Sequence, residues 1–339
     1  MLPDIAFRSP ACTAIRTSAP TTIWSWSIKT ELPRWMSAFP ARGYNLETVC
    51  IRPSTIASPE ISVVLCTYNR AWILERALQT VLAQTLHSFE LVILDDGSSD
   101  NTLELMETYQ DPRIAVWKHV KNSGLGAARN SGIRVARAPL VAFFDSDDEM
   151  APELLAAHVA GLADADFSFC QLDQRFGEVG RLFPPTGWHP VDDMLGELMN
   201  GNIISSQTMA MRKSIVERVG GPDESLPALE DWEFVLRLAA NGCRFHYIPT
   251  AMAIAHDSAD SMTRNVSKRI QAREMIIAKH AALFAARPAV LAFHHIVLGS
   301  QHRKVGNFGA ARKHCAAALR LQPWQPKAAA DWLLAALRR

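Results

Sequence analysis

The stretch ISVVLCTYNR, residues 61–70, decides the fold. Ile61–Leu65 is an apolar run rich in β-branched residues, the pattern of a strand covered on both faces. It leads through Thr67, Tyr68, Asn69 and Arg70 into Ala71–Leu86, where Leu74, Ala77, Leu78, Val81 and Leu82 keep helical spacing. The same cycle recurs downstream. Phe89–Leu94 reads as a strand and Asp100–Tyr109 as a short helix, followed by a strand at Ile114–Lys118, a helix at Ala127–Ala136 and a strand at Leu140–Phe144. Alternating β and α elements imply right-handed crossovers and an α/β fold with a mainly parallel central sheet, flanked by helices.

Ligands of such sheets bind outside the carboxyl ends of the strands. Each strand here exits into polar residues: Thr67–Arg70, Asp95-Asp96, His119–Asn122 and Asp145–Asp148. One crevice would collect all four sets. Asp145-Ser146-Asp147-Asp148 places acids at i and i+2 beyond a strand end, where they repel one another unless a counterion intervenes. A hard divalent cation with a diphosphate answers that need, against a plain acidic turn capping the next helix. Asp95-Asp96-Gly97-Ser98 suits hydrogen bonds to a base or ribose, or equally a turn leading to a helix. Gly124-Leu125-Gly126-Ala127-Ala128-Arg129 nearly matches the dinucleotide fingerprint, but Arg129 stands where the third glycine belongs, so a nicotinamide cofactor is disfavoured. Glu230-Asp231 opens a helix over Asp231–Asn241 whose Trp232, Val235, Leu236 and Ala239 face the core, with Glu233–Arg237 as an i,i+4 pair. Either acid is a candidate general base or a helix-dipole partner.

The composition bounds the function. The chain has 339 residues, Lys+Arg 35 against Asp+Glu 34, and 48% hydrophobic content. Near-neutral charge offers no field for nucleic acid. Six scattered cysteines, with no CxxC pair, read as reduced thiols of a cytoplasmic protein. The eleven histidines show no zinc spacing, and His256 alone invites attention. No apolar run reaches the roughly 18 residues of a membrane span. Residues 1–58 read as an irregular segment, 59–265 as the catalytic unit and 266–339 as a helical extension. Within the extension, Gly306–Pro323 resembles the second helix of a tetratricopeptide hairpin. Arg181–Pro190 reads as a loop, while Phe167–Leu172 and Gln207–Met211 read as strands.

Taken in order, ISVVLCTYNR, ELVILDDGSSDNT, NSGLGAARNSGIRVA, LVAFFDSDD, GGPDESL and LEDWEFVLRLA resemble the family 2 glycosyltransferases of GT-A fold, over roughly residues 60–260. The resemblance implies an inverting transfer of sugar from a nucleotide-sugar donor, UDP-linked, to a carbohydrate or lipid-linked acceptor hydroxyl. It implies that Thr67, Tyr68, Asn69, Arg70, Asp95, Asp96, Gly124, Arg129, Asp145 and Ser146 hold the donor. Asp145 and Asp147 look like the DxD motif for Mg²⁺ or Mn²⁺, with Asp148 and His256 as further ligands. Asp231 looks like the catalytic base, with Glu230 beside it. A helix N-terminus lowers the pKa of such a base, so desolvation must offset it. No QxxRW motif is present, which favours single-sugar addition. Peripheral contact with the inner face of a membrane is compatible with a lipid-linked acceptor. The alternatives are a sugar nucleotidyltransferase, disfavoured because CTYNRAW has no glycine, and an inactive nucleotide-sugar-binding scaffold.

Overall fold

A computed structural model describes residues 48–176, 179–256 and 265–337, with the backbone of 13–15 and 23–25. Its strands are β1 Thr13–Ile15, β2 Ile23–Ser25, β3 Thr48–Arg52, β4 Ile61–Thr67, β5 Phe89–Asp95, β6 Ile114–His119, β7 Leu140–Asp145, β8 Glu149–Met150, β9 Phe167–Phe176, β10 Val179–Phe183, β11 Met209–Arg212 and β12 Phe245–His256. Its helices are α1 Leu74–Leu82, α2 Thr102–Thr108, α3 Leu125–Val135, α4 Leu154–Gly161, α5 Met194–Asn200, α6 Lys213–Val219, α7 Glu230–Ala240, α8 Val266–Lys279, α9 Ala281–Ala285, α10 Pro288–Lys304, α11 Phe308–Leu321 and α12 Pro326–Ala336.

The strands form one sheet in the order β1-β2-β3-β6-β5-β4-β7-β11-β9-β12-β8, with β10 paired to β9. Its heart, β6-β5-β4-β7, is parallel, as the alternation of elements requires. Side chains of β4 alternate between two cores. Ile61, Val63 and Leu65 pack with Leu74, Leu78 and Val81 of α1 on one face, while Val64 and Cys66 join Ala128 of α3 and Phe234 of α7 on the other. A strand covered on both faces has no polar side to show, which is why its sequence does not alternate. The register sets Thr67 beside Asp95 and Cys66 beside Asp145. With strands about 4.8 Å apart, three polar strand ends therefore stand in a row.

Several elements differ from the sequence reading. Thr48–Arg52 lies inside the stretch read as irregular, yet β3 pairs antiparallel with β6 and extends the sheet. The first three residues of Arg181–Pro190 are not loop: β10 returns antiparallel on β9, which is itself longer than expected. Helix α1 starts only at Leu74, because Asn69 turns left-handed at φ 51° and the Arg70 carbonyl accepts the Ile73 and Leu74 N–H groups. Residue 265 marks a change of composition but not of packing. Ile276 of α8 and Phe284 of α9 are fully buried in the same core as Trp232. Beyond them, α10, α11 and α12 enclose a small cluster of Ile296, Ala318 and Ala328. Among the described residues no helix is long and apolar enough to cross a membrane.

Helix α3 approaches β4 so closely that a Cβ on Gly132 would stand 2.3 Å from Val64 Cγ1. Val64 is buried and β-branched, so it has no rotamer into which to retreat. Gly132→Ala is therefore expected to lose about 1–3 kcal/mol of stability in denaturant unfolding, despite alanine's better helix propensity. Val64→Ala in the same chain should recover part of that loss; a stabilised single variant would refute the close contact.

Candidate active site

The site grows from the carboxyl ends of β4, β5 and β7. At the end of β7, Asp145 accepts a hydrogen bond from Arg129 Nη2 at 2.9 Å on one oxygen and from Ser206 Oγ at 3.0 Å on the other. Arg129 also donates through Nη1 to Glu230 Oε1 at 2.8 Å, and through Nη2 to Ser206 Oγ at 2.7 Å. The arginine is 2% exposed and its guanidinium lies over the Phe143 ring. Burial opposes its charge, but Asp145 and Glu230 outweigh burial and hold Arg129 above its ordinary pKa. The DSDD turn and the first turn of α7 are thus joined by one buried cation.

The two acids opening α7 sit in different environments. Glu230 takes the guanidinium. Asp231 accepts only neutral donors, Asn202 Nδ2 at 2.9 Å and the Trp232 backbone N–H at 2.7 Å. Its residue keeps a partly exposed edge while the carboxyl is ringed by protein. Burial, then the charge of Glu230, push the Asp231 carboxyl up to about 7, and Arg129 opposes them only in part. Desolvation thus overrides the helix terminus. The two neighbouring acids thus differ in partners: Glu230 is tied to Arg129, and Asp231 has neutral donors alone.

Asp147 Oδ2 receives Arg70 Nη1 at 3.2 Å, and the Asp147 carbonyl receives Arg76 Nη2. Burial and then Asp145 raise the Asp147 carboxyl above its usual range, against Arg70. Asp148 is raised well above that range by burial and then by Asp145 and Asp147. Three crowded carboxylates with too little positive charge fit a hard divalent cation. Asp145 accepts one hydrogen bond on each oxygen and so retains a lone pair on each for such an ion. His256 reaches this turn, but its Nε2 is engaged by Glu149 Oε1 at 2.6 Å, and only its backbone N–H meets Asp148, at 3.3 Å.

Other expected donor contacts turn inward. Asp95 is fully buried, accepts the Ser98 N–H at 2.9 Å and pairs with Lys118 Nζ at 3.4 Å. Asp96 accepts His119 Nδ1 at 2.7 Å, Ser123 N–H at 2.9 Å and Gly124 N–H at 2.8 Å. Asp96 therefore builds the 96–124 wall, whereas the buried Asp95 Oδ2 has no hydrogen bond and meets only the Lys118 charge. Arg129 is likewise a bridge and not an open ligand contact. Gly124, at φ 92°, supplies the turn that starts α3. Asn69 Oδ1 accepts the Ser99 N–H at 2.9 Å, tying β4's exit loop to β5's. Thr67 is buried, Ser146 is nearly so, and Tyr68 is exposed at the crevice mouth. Ser206, Asn202, Arg76 and Lys118 complete the site without having been legible. No motif marks them, and Ser206 comes from a 3₁₀ turn, Ser206–Thr208, leading into β11.

With this geometry in view, comparison with known proteins assigns the class. Residues 62–220 match the Glycosyl transferase family 2 model. The succinoglycan biosynthesis protein ExoO of Rhizobium meliloti is 30% identical over 278 residues, 77% of each chain. The chain belongs to glycosyltransferase family 2. Other curated glycosyltransferases match over much less of their own length, about 18% to 37%. The S. aureus TarS 1–349 structure in complex with UDP-GlcNAc aligns at TM-score 0.60 and 20% identity, over 81% of this chain and 89% of that one. The mannosyltransferase PcManGT of Pyrobaculum calidifontis, in complex with GDP-Man and Mn²⁺, aligns at TM-score 0.55 and 21% identity, over 90% and 85%. At such identity these two establish the GT-A fold alone. Family membership sets aside the nucleotidyltransferase reading.

Removing Arg129 strands two acids. Arg129→Met should cost about 3–5 kcal/mol at pH 8 by denaturant unfolding, because breaking a buried pair leaves uncompensated charge. Adding Glu230→Gln should restore part of it; a single-variant loss below about 1 kcal/mol would show the bridge to be idle. Asp231 carries the opposite linkage. The unfolded chain releases that proton near ~3.9 and the folded one near 7, so the cost of ionisation is absent at lower pH and complete above 7. Asp231→Asn should therefore unfold at higher denaturant than wild type at pH 8, with the gain vanishing towards pH 4.

Proposed function

We propose that this chain transfers a single sugar from a nucleoside-diphosphate sugar, UDP-linked, to an acceptor hydroxyl with inversion, and that Asp231 is the general base. The observation carrying this reading is the Asp231 carboxyl: enclosed, denied a cation of its own, and raised to about 7 at the lip of the crevice. A base there is half ionised near neutrality, where general-base catalysis best balances ionised fraction against proton affinity. Glu230, held by Arg129, keeps the start of α7 at a fixed distance from the DSDD turn.

The donor diphosphate would lie against Asp145 and Asp147 with Arg70 at its flank, and Tyr68 would stand beside the base. Asp145, Asp147 and Asp148 would hold Mg²⁺ or Mn²⁺. Such an ion, when bound, neutralises charge on the departing diphosphate. The donors named with TarS and PcManGT, and the Mn²⁺ of the latter, support this assignment. ExoO's role in succinoglycan biosynthesis supports an acceptor in polysaccharide, glycolipid or other cell-surface glycan synthesis. The work would be cytoplasmic, with the acceptor presented at the membrane face.

Nucleoside-diphosphate release, assayed against pH, tests the base. The rate constant kcat/KM should rise with an apparent pKa near 7, and Asp231→Asn should lose about 10²–10⁴-fold and flatten that rise. A folded Asp231→Asn variant within about threefold of wild type would overturn the assignment. Thermal-shift measurements should show stabilisation by UDP that depends on added Mn²⁺, and Asp147→Asn should abolish that dependence. Equal stabilisation with and without Mn²⁺ would remove the metal from the proposal.

A further inference from the structure

Three ligand-type side chains meet where the helical extension joins the catalytic domain, far from the crevice in sequence. Glu274 lies on α8, His302 in the last turn of α10 and His314 in the middle of α11. His302 Nε2 is 2.9 Å from Glu274 Oε1, and His314 Nε2 is 3.1 Å from the same oxygen. The three ligand atoms all lie within 4.8 Å of one another. The imidazoles are stacked, 5.3 Å between centroids at 11°, so both present their edges in one direction. Behind them, His295 Nδ1 stands 2.9 Å from His314 Nδ1.

We propose that Glu274, His302 and His314 form a zinc-type site that clamps α8 to the α10–α11 hairpin. A tetrahedral zinc ion with ~2.0–2.1 Å bonds holds its ligand atoms about 3.3 Å apart, and two of the three edges are already close to that value. Two imidazoles with one carboxylate are a donor set for a borderline d-block cation and not for Mg²⁺. His295 serves as the orienting partner. With His314 Nε2 on the ion, the remaining proton sits on Nδ1 and is donated to His295, as outer partners of metal-bound histidines do. The Glu274 side chain is 41% exposed, which gives an ion a way in and leaves a coordination position for water. The sequence hid this site because its members are 28 and 12 residues apart on three different helices.

The consequence is mechanical. Helix α8 contributes Ile276 to the main core and the start of α10 packs Val290 and Leu291 against it, whereas α11 meets α10 in the small Ile296–Ala318 cluster. An ion at this junction ties the two together. Chelator-treated full-length chain should bind Zn²⁺ with an accompanying rise in Tm, and Co²⁺ should give the intense visible absorption of a tetrahedral nitrogen-ligated site. The acidic crevice, with oxygen ligands only, gives Co²⁺ no such band. His302→Ala with His314→Ala should abolish the Co²⁺ band, and the conservative Glu274→Gln should weaken Zn²⁺ binding at least tenfold. Absence of the band in wild type, or its persistence at full strength in the folded double variant, would overturn the proposal. Should the double variant fail to fold, His314→Gln must still diminish the band, and an unchanged spectrum there has the same adverse meaning.

Discussion

A single buried guanidinium holds the functional half of this molecule together. Arg129 lies 16 residues from Asp145 and 101 from Glu230, yet it touches both within 2.9 Å. A buried cation is costly by itself, and its partners are equally costly without it. The three charges are therefore obliged to stay together, and with them the end of β7 and the beginning of α7. The geometry of the crevice follows from that obligation. Because Glu230 occupies the guanidinium, its neighbour Asp231 has only an amide and a backbone N–H to lean on. Adjacent acids thus acquire different partners from one arginine.

The helices behind α7 maintain this arrangement. Trp232, next to Asp231, donates its indole N–H to the Leu198 carbonyl at 2.7 Å. Arg273 of α8 stacks over its ring at 5.0 Å, and His294 of α10 packs beside it at 5.4 Å. His294 in turn reaches the Met199 carbonyl of α5 at 2.6 Å. The first turn of α7 is therefore braced by α5, α8 and α10 together. The extension is part of the scaffold that fixes the start of α7, and Phe284 and Ile276 are buried in the same core.

Much of this was readable from sequence, and the exceptions have physical causes. The parallel heart announced itself because a strand covered on both faces must be apolar throughout, as Ile61–Leu65 and Leu140–Phe144 are. The ends of those strands had to be polar, so the crevice was legible too. What periodicity could not tell was the direction in which a polar side chain points. Asp95 and Asp96 end a strand as expected, yet both turn into the protein and organise loops. Arg129 looked like a ligand contact and is an internal strut. Short strands away from the parallel heart, such as β3 and β10, escaped notice because such pairing demands little of the sequence beyond a few β-compatible residues. Ser206 and Asn202 were invisible for a further reason: lone hydroxyls and amides carry no pattern until the chain folds around them.

Carboxyl-detected ¹³C NMR of the metal-free protein, followed across pH with Asp231→Asn as the assignment control, examines the central point directly. The Asp231 carboxyl carbon should titrate near 7. A midpoint for Asp231 near ~4, the value of a solvated aspartate, would contradict the account. The arginine bridge would then be a structural tie with no bearing on proton transfer.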